Sequence, residues 1–401
     1  APPALAPPPA SGGELLLMLA VFLVLAAPFL YLNFRSGLVP GDFLIYRKAS
    51  SVALHLGDPY ARNFTEHLRV PLPFTYPPFA AIALVPLALA PPHLSLWVWT
   101  SFSLALVATL AWWLLRPSLW RAGWGHPALL GVAAALLVWT VPVGQTLHYG
   151  QVNLLLACAC LVDCTRVTRG RGVLVGIATA VKLTPGLFIL YFAATRQWAA
   201  AARAGGTAAG CTLLAAALLP HPSQEYWLHL VFDPSRPGNP LSPINESLYG
   251  VLLRAGGPKE VWPLLVLGAA ALGLWRAGCA HKAGAEVAAV ALVGLTAVLI
   301  SPVSRPHHAV WVVLVLGVLA AWATSPVRPG RVATALVVLA LLIVPVPQIA
   351  SALGVPDHIP IVSRAVGESN TLIFLATLVA LPLVAVTEGE RAQLLQPSAY
   401  A

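Results

Sequence analysis

What most constrains this chain is a succession of thirteen apolar runs. They fall at residues 15–34, 77–90, 94–115, 127–143, 152–164, 173–181, 186–194, 205–219, 261–275, 287–300, 309–322, 332–344 and 371–386. A bilayer admits only helices or closed barrels, because an unpaired backbone N–H or C=O costs several kcal/mol there. Runs of roughly twenty apolar residues cross it as helices. Residues are 58% hydrophobic and only 9% charged, more apolar than a soluble domain of 401 residues could bury. The pattern predicts an all-α polytopic membrane protein. Several runs are short or broken by Pro and Gly, which a membrane protein tolerates where the break lines a buried or wet cavity.

The loop charges orient the helices. One set of loops holds twelve bases (Arg116, Arg121, Arg166, Arg169, Arg171, Arg196, Arg203, Arg276, Lys282, Arg328, Arg331, Arg391) against five acids. The opposite set holds ten bases against nine acids. The first set is therefore expected to be cytoplasmic, and the long loops at about 35–76 and 221–260 periplasmic. On this assignment one of the runs 77–90 and 94–115 must fail to cross, or must continue the other around a kink. The runs 173–181 and 186–194 must pair as a hairpin with Lys182 to Pro185 at its tip. About eleven to thirteen crossings result. Residues 1–13, Pro/Ala-rich and uncharged, are expected to form a disordered lead. Residues 14–387 then form one integral membrane domain and 388–401 a cytoplasmic tail. The run 15–34 has no basic lead and exceeds a signal-peptide core, so it is expected to be a retained helix. No internal repeat is visible.

The net charge of +9 does not point to nucleic acid, because the bases are scattered over the loops without forming a stripe. Five cysteines, Cys158, Cys160, Cys164, Cys211 and Cys279, lie in or beside apolar runs and suit packing better than a disulfide framework. No His/Cys spacing suggests a metal, and no Gly-rich loop suggests a nucleotide.

The outer loops collect the residues fit for chemistry. Asp42 follows the first run. Position alone allows it either to cap the next helix, as Asp often does, or to act as a carboxylate at the membrane boundary. Lys182 sits between two apolar runs, where an ammonium is costly unless it snorkels to the interface or meets an anion. His307 and His308 beside Arg305 either begin a helix or line a site.

Taken together these stretches resemble one family. They are Asp42-x3-Tyr46, Gly57-x-Pro59-Tyr60, Phe74-Thr75-Tyr76-Pro77-Pro78-Phe79, Gly150-Gln151-Val152-Asn153, Gly172-x3-Gly176-x5-Lys182-Leu183-Thr184-Pro185, Asn245-x-Ser247-x2-Gly250 and Ser301-Pro302-Val303-Ser304-x2-His307-His308. From Asp42 to Trp311 the series resembles the actinobacterial polyprenyl-phosphate-mannose-dependent α-1,2-mannosyltransferases of glycosyltransferase family 87. These are GT-C enzymes of phosphatidylinositol-mannoside synthesis and lipomannan branching. Two positions depart from the family pattern. Glu246 stands in an Asn-Gln-Ser motif, and Arg305 where Ser-Trp-x-His-His is usual.

The resemblance implies a GT-C fold whose periplasmic loops carry short amphipathic helices. It also implies an inverting transfer with Asp42 as general base, and no cofactor or metal. Lys182, Arg305, His307 and His308 become the expected partners of the donor phosphate. Tyr46, Tyr76, Gln151, Asn153, Asn245 and Glu246 become the expected binders of sugar or acceptor. A lipid-phosphate sugar carries its own leaving group, so a base and cations in a water-poor cleft suffice. The implied partners are a polyprenyl-phosphate sugar, a glycolipid acceptor and the bilayer. A GT-C enzyme using another such donor, for example an arabinofuranosyl lipid, is the nearest alternative. A lipid or sugar flippase is the alternative from another class, although it would leave Asp42 without a role.

Overall fold

Several helices start on a Pro in their first turn, where its missing N–H costs nothing. The computed structural model describes residues 7, 9–37, 39–61, 64, 72–166, 169–233, 236, 238–344, 366–387 and 390. Helix α1 (Gly12–Phe34) opens on a capping box. The Ser11 hydroxyl accepts from the Glu14 N–H, and the Glu14 carboxylate accepts from the Ser11 N–H. Helix α2 (Gly41–Leu54) lies in the first outer loop, and short α3 (Pro78–Ala83) runs into a 3-10 turn at Val85–Ala88. The long α4 (Pro92–Arg121) follows. Helices α5 (Pro127–Trp139) and α6 (Val141–Tyr149) come next, then α7 (Asn153–Thr165), α8 (Val173–Val181) and α9 (Leu187–Ala194). Helix α10 (Trp198–Leu218) leads to the second outer loop with α11 (Pro220–Leu228) and α12 (Leu248–Arg254). The remaining helices are α13 (Trp262–Lys282), α14 (Glu286–Ile300), α15 (Val312–Ala323), α16 (Pro329–Ile343) and α17 (Ser369–Ala380).

The all-α polytopic expectation holds. Among the described residues three helices are long and apolar enough to cross a bilayer unaided: Gly12–Phe34, Pro92–Arg121 and Lys259–Lys282. The pair α5 and α6 makes a fourth if its 71° bend is counted within one span. Six further apolar helices have 10–17 residues. At 1.5 Å per residue these fall short of the roughly 30 Å hydrocarbon core. The eleven to thirteen expected crossings thus reduce to fewer unaided spans, because several apolar runs are broken. The run 127–143 breaks at Thr140, which is extended, just ahead of Pro142; a proline cannot donate back along a helix. The run 77–90 becomes α3 and its 3-10 turn, too short to cross.

The hairpin expected at 173–194 is present. Gly172 lies against the Ala200 carbonyl, and Gly176 against Ala204 and Thr207, so α8 runs parallel to the first half of α10. Helix α9 then returns to the same level, where the Gln197 N–H bonds the Phe192 carbonyl. With nine and eight residues the two arms reach only part of the way along α10. Lys182 therefore ends α8 below the outer surface.

Helix α14 is the centre of the bundle, with every residue from Glu286 to Leu299 buried. Its neighbours approach closely through glycines. Gly273 of α13 faces Thr296, and Gly294 faces Trp311. At one end of α14, Glu286 accepts from Tyr191 Oη at 2.6 Å and pairs with His281. There Glu390 accepts from the Val287, Val386 and Thr387 N–H groups. This is the base-rich end, where Arg203 Nε also donates to the Arg171 carbonyl. The other end continues into Ser301–His308 and the site below. Residues 1–6, 345–365, 391–401 and parts of both long outer loops lie outside the described residues, including most of the expected lead and tail.

A side chain at Gly176 would strike α10, whereas one at Gly205 would meet nothing within 4 Å. Gly176→Leu is expected to cost about 1–3 kcal/mol or more through overpacking, while Gly205→Ala should leave stability unchanged or raised. Thermal unfolding of the detergent-purified variants checks both.

Candidate active site

The outer end of the bundle encloses a cleft of about 880 Å³. Its walls come from breaks in helices. Helix α2 supplies Asp42 and Tyr46, the 72–77 segment supplies Tyr76, and the α6–α7 junction supplies Tyr149 and Gln151. The tip of the α8–α9 hairpin supplies Lys182, and the turn after α14 supplies Arg305, His307 and His308. Eight of the eleven residues expected at the site therefore line one cavity.

Asp42 does not cap α2. The capping position is Pro40, which offers no side-chain bond, and Asp42 is the second residue of the helix. Its carboxylate instead accepts from Gln151 Nε2 at 2.7 Å. The other end of that amide, Oε1, accepts from Tyr76 Oη at 3.1 Å and from Tyr46 Oη. The two phenols lie 2.6 Å apart. Gln151 can come this close because Gly150 ends α6 in the left-handed region at φ 66°, a conformation that glycine adopts without strain. A Cβ on Gly150 would also lie only 2.8 Å from Phe43 Cβ. Burial raises the Asp42 pKa above its ordinary value, while the Gln151 hydrogen bond and the nearby charges of Arg305, Lys182 and His148 oppose that rise.

A second amide organises the cationic wall. Lys182 Nζ donates to Asn153 Oδ1 at 2.8 Å and lies 5.4 Å from the centre of the Tyr76 ring. Asn153 Nδ2 donates to the His307 carbonyl at 2.7 Å, and Thr146 Oγ1 donates to the same oxygen at 3.1 Å. The His308 Nδ1 accepts from the Arg305 N–H at 3.2 Å. Tyr149 sets its ring edge on His307 with centroids 5.4 Å apart. Among the described residues neither Lys182 nor Arg305 has a carboxylate within ion-pair distance. Arg305 reaches across to Gly238 of the second outer loop, its guanidinium lying where a Cβ at 238 would sit.

Asn153, expected to bind sugar, is buried beneath the cleft and committed to Lys182 and His307. Asn245 and Glu246 do not line the cleft. Asn245 is only 1% exposed, and its amide clasps two loops together. Its Nδ2 donates to the Pro240 and Pro302 carbonyls, and its Oδ1 accepts from the Ser304 and Ser247 N–H groups. Glu246 turns toward α17, where Asn370 Nδ2 donates to Oε1; its Oε2 is buried without a partner. The residues that motif reading missed are Tyr149, Tyr226, Asp233 and Arg236 in the same cleft. The last three lie in the first part of the second outer loop, ahead of the motif at Asn245, where no quoted motif falls. No group of three metal-ligating side chains occurs among the described residues.

Burial pushes the Glu246 carboxyl up to about 8 from the ordinary 4.5. The folded chain therefore holds a proton that the unfolded chain has lost, and stability falls as pH rises from the ordinary value toward the folded one. Glu246→Gln should raise the melting temperature, by a margin that widens from pH 5 toward pH 8. Melting curves of both proteins across that range check it, with equal pH dependence counting against the buried neutral carboxyl.

Comparison with known proteins gives the family. The profile of glycosyltransferase family 87 matches residues 74–302. A Mycolicibacterium smegmatis protein named polyprenol-phosphate-mannose-dependent alpha-(1-2)-phosphatidylinositol mannoside mannosyltransferase is 32% identical over 304 residues, 70% of this chain and 69% of its own. The Mycobacterium tuberculosis protein of the same name is 33% identical over 67% of each chain. A second M. smegmatis protein, named as the corresponding pentamannoside mannosyltransferase, is 34% identical over 65% of this chain and 64% of its own. No solved structure matches. The chain is a membrane glycosyltransferase of the GT-C type and belongs to glycosyltransferase family 87.

Proposed function

We propose that this glycosyltransferase moves mannose from a polyprenyl-phosphate mannose to a lipid-linked mannoside of the phosphatidylinositol-mannoside or lipomannan kind, forming an α-1,2 linkage. The observation that carries the reading is the opposition, across one cleft, of a held carboxylate (Asp42) and unpaired cations (Lys182, Arg305). The names of the 32–34% identical relatives supply the donor and acceptor classes.

The mechanism follows from that opposition. The acceptor hydroxyl attacks the anomeric carbon of the β-linked donor from the face opposite the phosphate. Asp42 takes the hydroxyl proton as the new C–O bond forms. The bond from the anomeric carbon to the phosphate oxygen breaks, and its electron pair leaves with the polyprenyl phosphate. Attack from the opposite face inverts the anomeric centre to α. Lys182, Arg305 and His308 stabilise the charge that grows on the departing phosphate, more strongly than the same groups would in bulk water. Gln151 keeps the carboxylate aimed, and Asn153 keeps the ammonium from swinging onto it. The active site faces the periplasm of a bacterial plasma membrane, a reading supported by the base-rich loops at the opposite end of the bundle.

Asp42→Asn keeps the side-chain shape and removes the base, so kcat should fall about a hundredfold to ten-thousandfold with little change in melting temperature. Labelled mannose transfer by the purified protein measures it; a rate within a fewfold of wild type would sink the assignment. The acid limb of the pH–rate profile should lie above the ordinary carboxylate range. Gln151→Leu should move it higher still, because a hydrogen bond that favours the charged form has been removed. Orientation is tested by single cysteines. One at Leu241 should react with an impermeant thiol reagent in intact cells, and one at Arg328 only after lysis.

A further inference from the structure

The outer cleft contains a second cationic position that the proposed chemistry does not use. Five aromatic rings form a ladder beside it, and three of them, Tyr46, Tyr76 and Tyr226, line the cleft. Tyr46 meets Tyr76 with centroids 5.1 Å apart, Tyr76 meets Phe74 at 5.8 Å, Phe74 meets Tyr60 at 5.7 Å, and Tyr60 stacks on Tyr226 at 5.6 Å. The Tyr46 end touches Gln151 and, through it, Asp42. Arg236 sits at the far end, its guanidinium 5.8 Å from the centre of the Tyr60 ring. Its Nη2 donates to the Phe74 carbonyl at 2.9 Å. The ladder itself is fixed, because Tyr60 Oη donates to the Tyr76 carbonyl at 2.7 Å.

This Arg is therefore held by stacking and by a backbone bond, and it lines the same cavity as Asp42. Among the described residues no carboxylate lies within ion-pair distance of it. A guanidinium held over an aromatic ring and lining a cleft suits an oxyanion, which its fork of N–H donors can grip. The donor phosphate is already matched by Lys182 and Arg305, which line the same cleft. A phosphatidylinositol-type acceptor brings one more fixed charge, the phosphodiester of its lipid, set back from the reacting sugar by the rest of the headgroup.

We infer that Arg236 on Tyr60 is an acceptor subsite that binds the phosphodiester of an anionic glycolipid whose sugars lie in the shared cleft, along Tyr76 and Tyr46, toward Asp42. This rests on the proposed mannosyl transfer and adds to it a charge requirement on the acceptor.

The test compares two acceptors in detergent with polyprenyl-phosphate mannose as donor. One is a phosphatidylinositol mannoside, the other a neutral alkyl mannoside. Arg236→Gln should lower kcat/KM about tenfold to a hundredfold for the anionic acceptor, the usual range for losing a charge-assisted hydrogen bond. The same variant should stay within about twofold of wild type on the neutral acceptor and should keep the donor KM. Arg236→Lys should recover part of the loss. Equal loss on both acceptors would make Arg236 a support for the Phe74 segment and overturn the inference. A raised donor KM would assign it to the donor phosphate and overturn it as well. Wild-type protein inactive on both acceptors would instead overturn the mannosyl-transfer reading on which the inference stands.

Discussion

Keeping a carboxylate and an ammonium apart in one cleft is the constraint on which this structure turns. Opposite charges attract far more strongly in a low-dielectric cavity than in water. If Asp42 and Lys182 closed onto each other, the base would be neutralised and the cation spent. Two amides prevent this. Gln151 holds Asp42 and Asn153 holds Lys182, and they sit two residues apart where α6 gives way to α7. Each amide gives its second end to protein: Gln151 to the two tyrosine hydroxyls and Asn153 to the His307 carbonyl. A buried amide with both ends engaged is rigid as well as satisfied. The left-handed Gly150 between the two helices lets one short segment aim at both walls.

The same logic explains where the bundle is broken. Breaking a helix at membrane depth frees backbone groups that water cannot reach, and side chains must pair with them. The turn after α14 shows how this is met. Thr146 and Asn153 take the His307 carbonyl, Asn245 takes the Ser304 N–H and the Pro302 carbonyl, and Ser304 Oγ donates to the Val298 carbonyl. With its backbone fixed from both sides, the turn presents Arg305, His307 and His308 in set positions.

These arrangements explain what the sequence made legible. Asp42, Lys182 and the His pair stood out because a charge or imidazole between apolar runs is costly. The hairpin at Lys182 followed from run length and the sign of the loop charges. Polar side chains with no net charge were harder to place. Asn153 and Asn245 read as ligand binders because Asn suits sugars, but both are buried and spent on backbone or Lys182. A sequence shows that an amide is present and not which way its partners lie. Arg236 was invisible for a different reason. Its role comes from a Tyr60 ring and a Phe74 carbonyl more than 160 residues earlier, which no local pattern records. Helix breaks were underestimated because an apolar run such as 127–143 carries the same composition whether straight or bent by 71°.

The two departures from the family motifs now separate. Glu246 and Arg305 both look like charges added beside the donor. Glu246 faces Asn370 away from the cleft, and burial favours its neutral form, so it adds no field at the reacting centre. Arg305 lines the cleft, so its guanidinium stands beside the reacting groups. Its position depends on Gly238, which is at φ 130° and would carry a Cβ 2.8 Å from the Arg305 Nη2. A side chain at 238 would be strained by its backbone and would displace the guanidinium. Residues 238 and 305, on different loops, therefore form one unit.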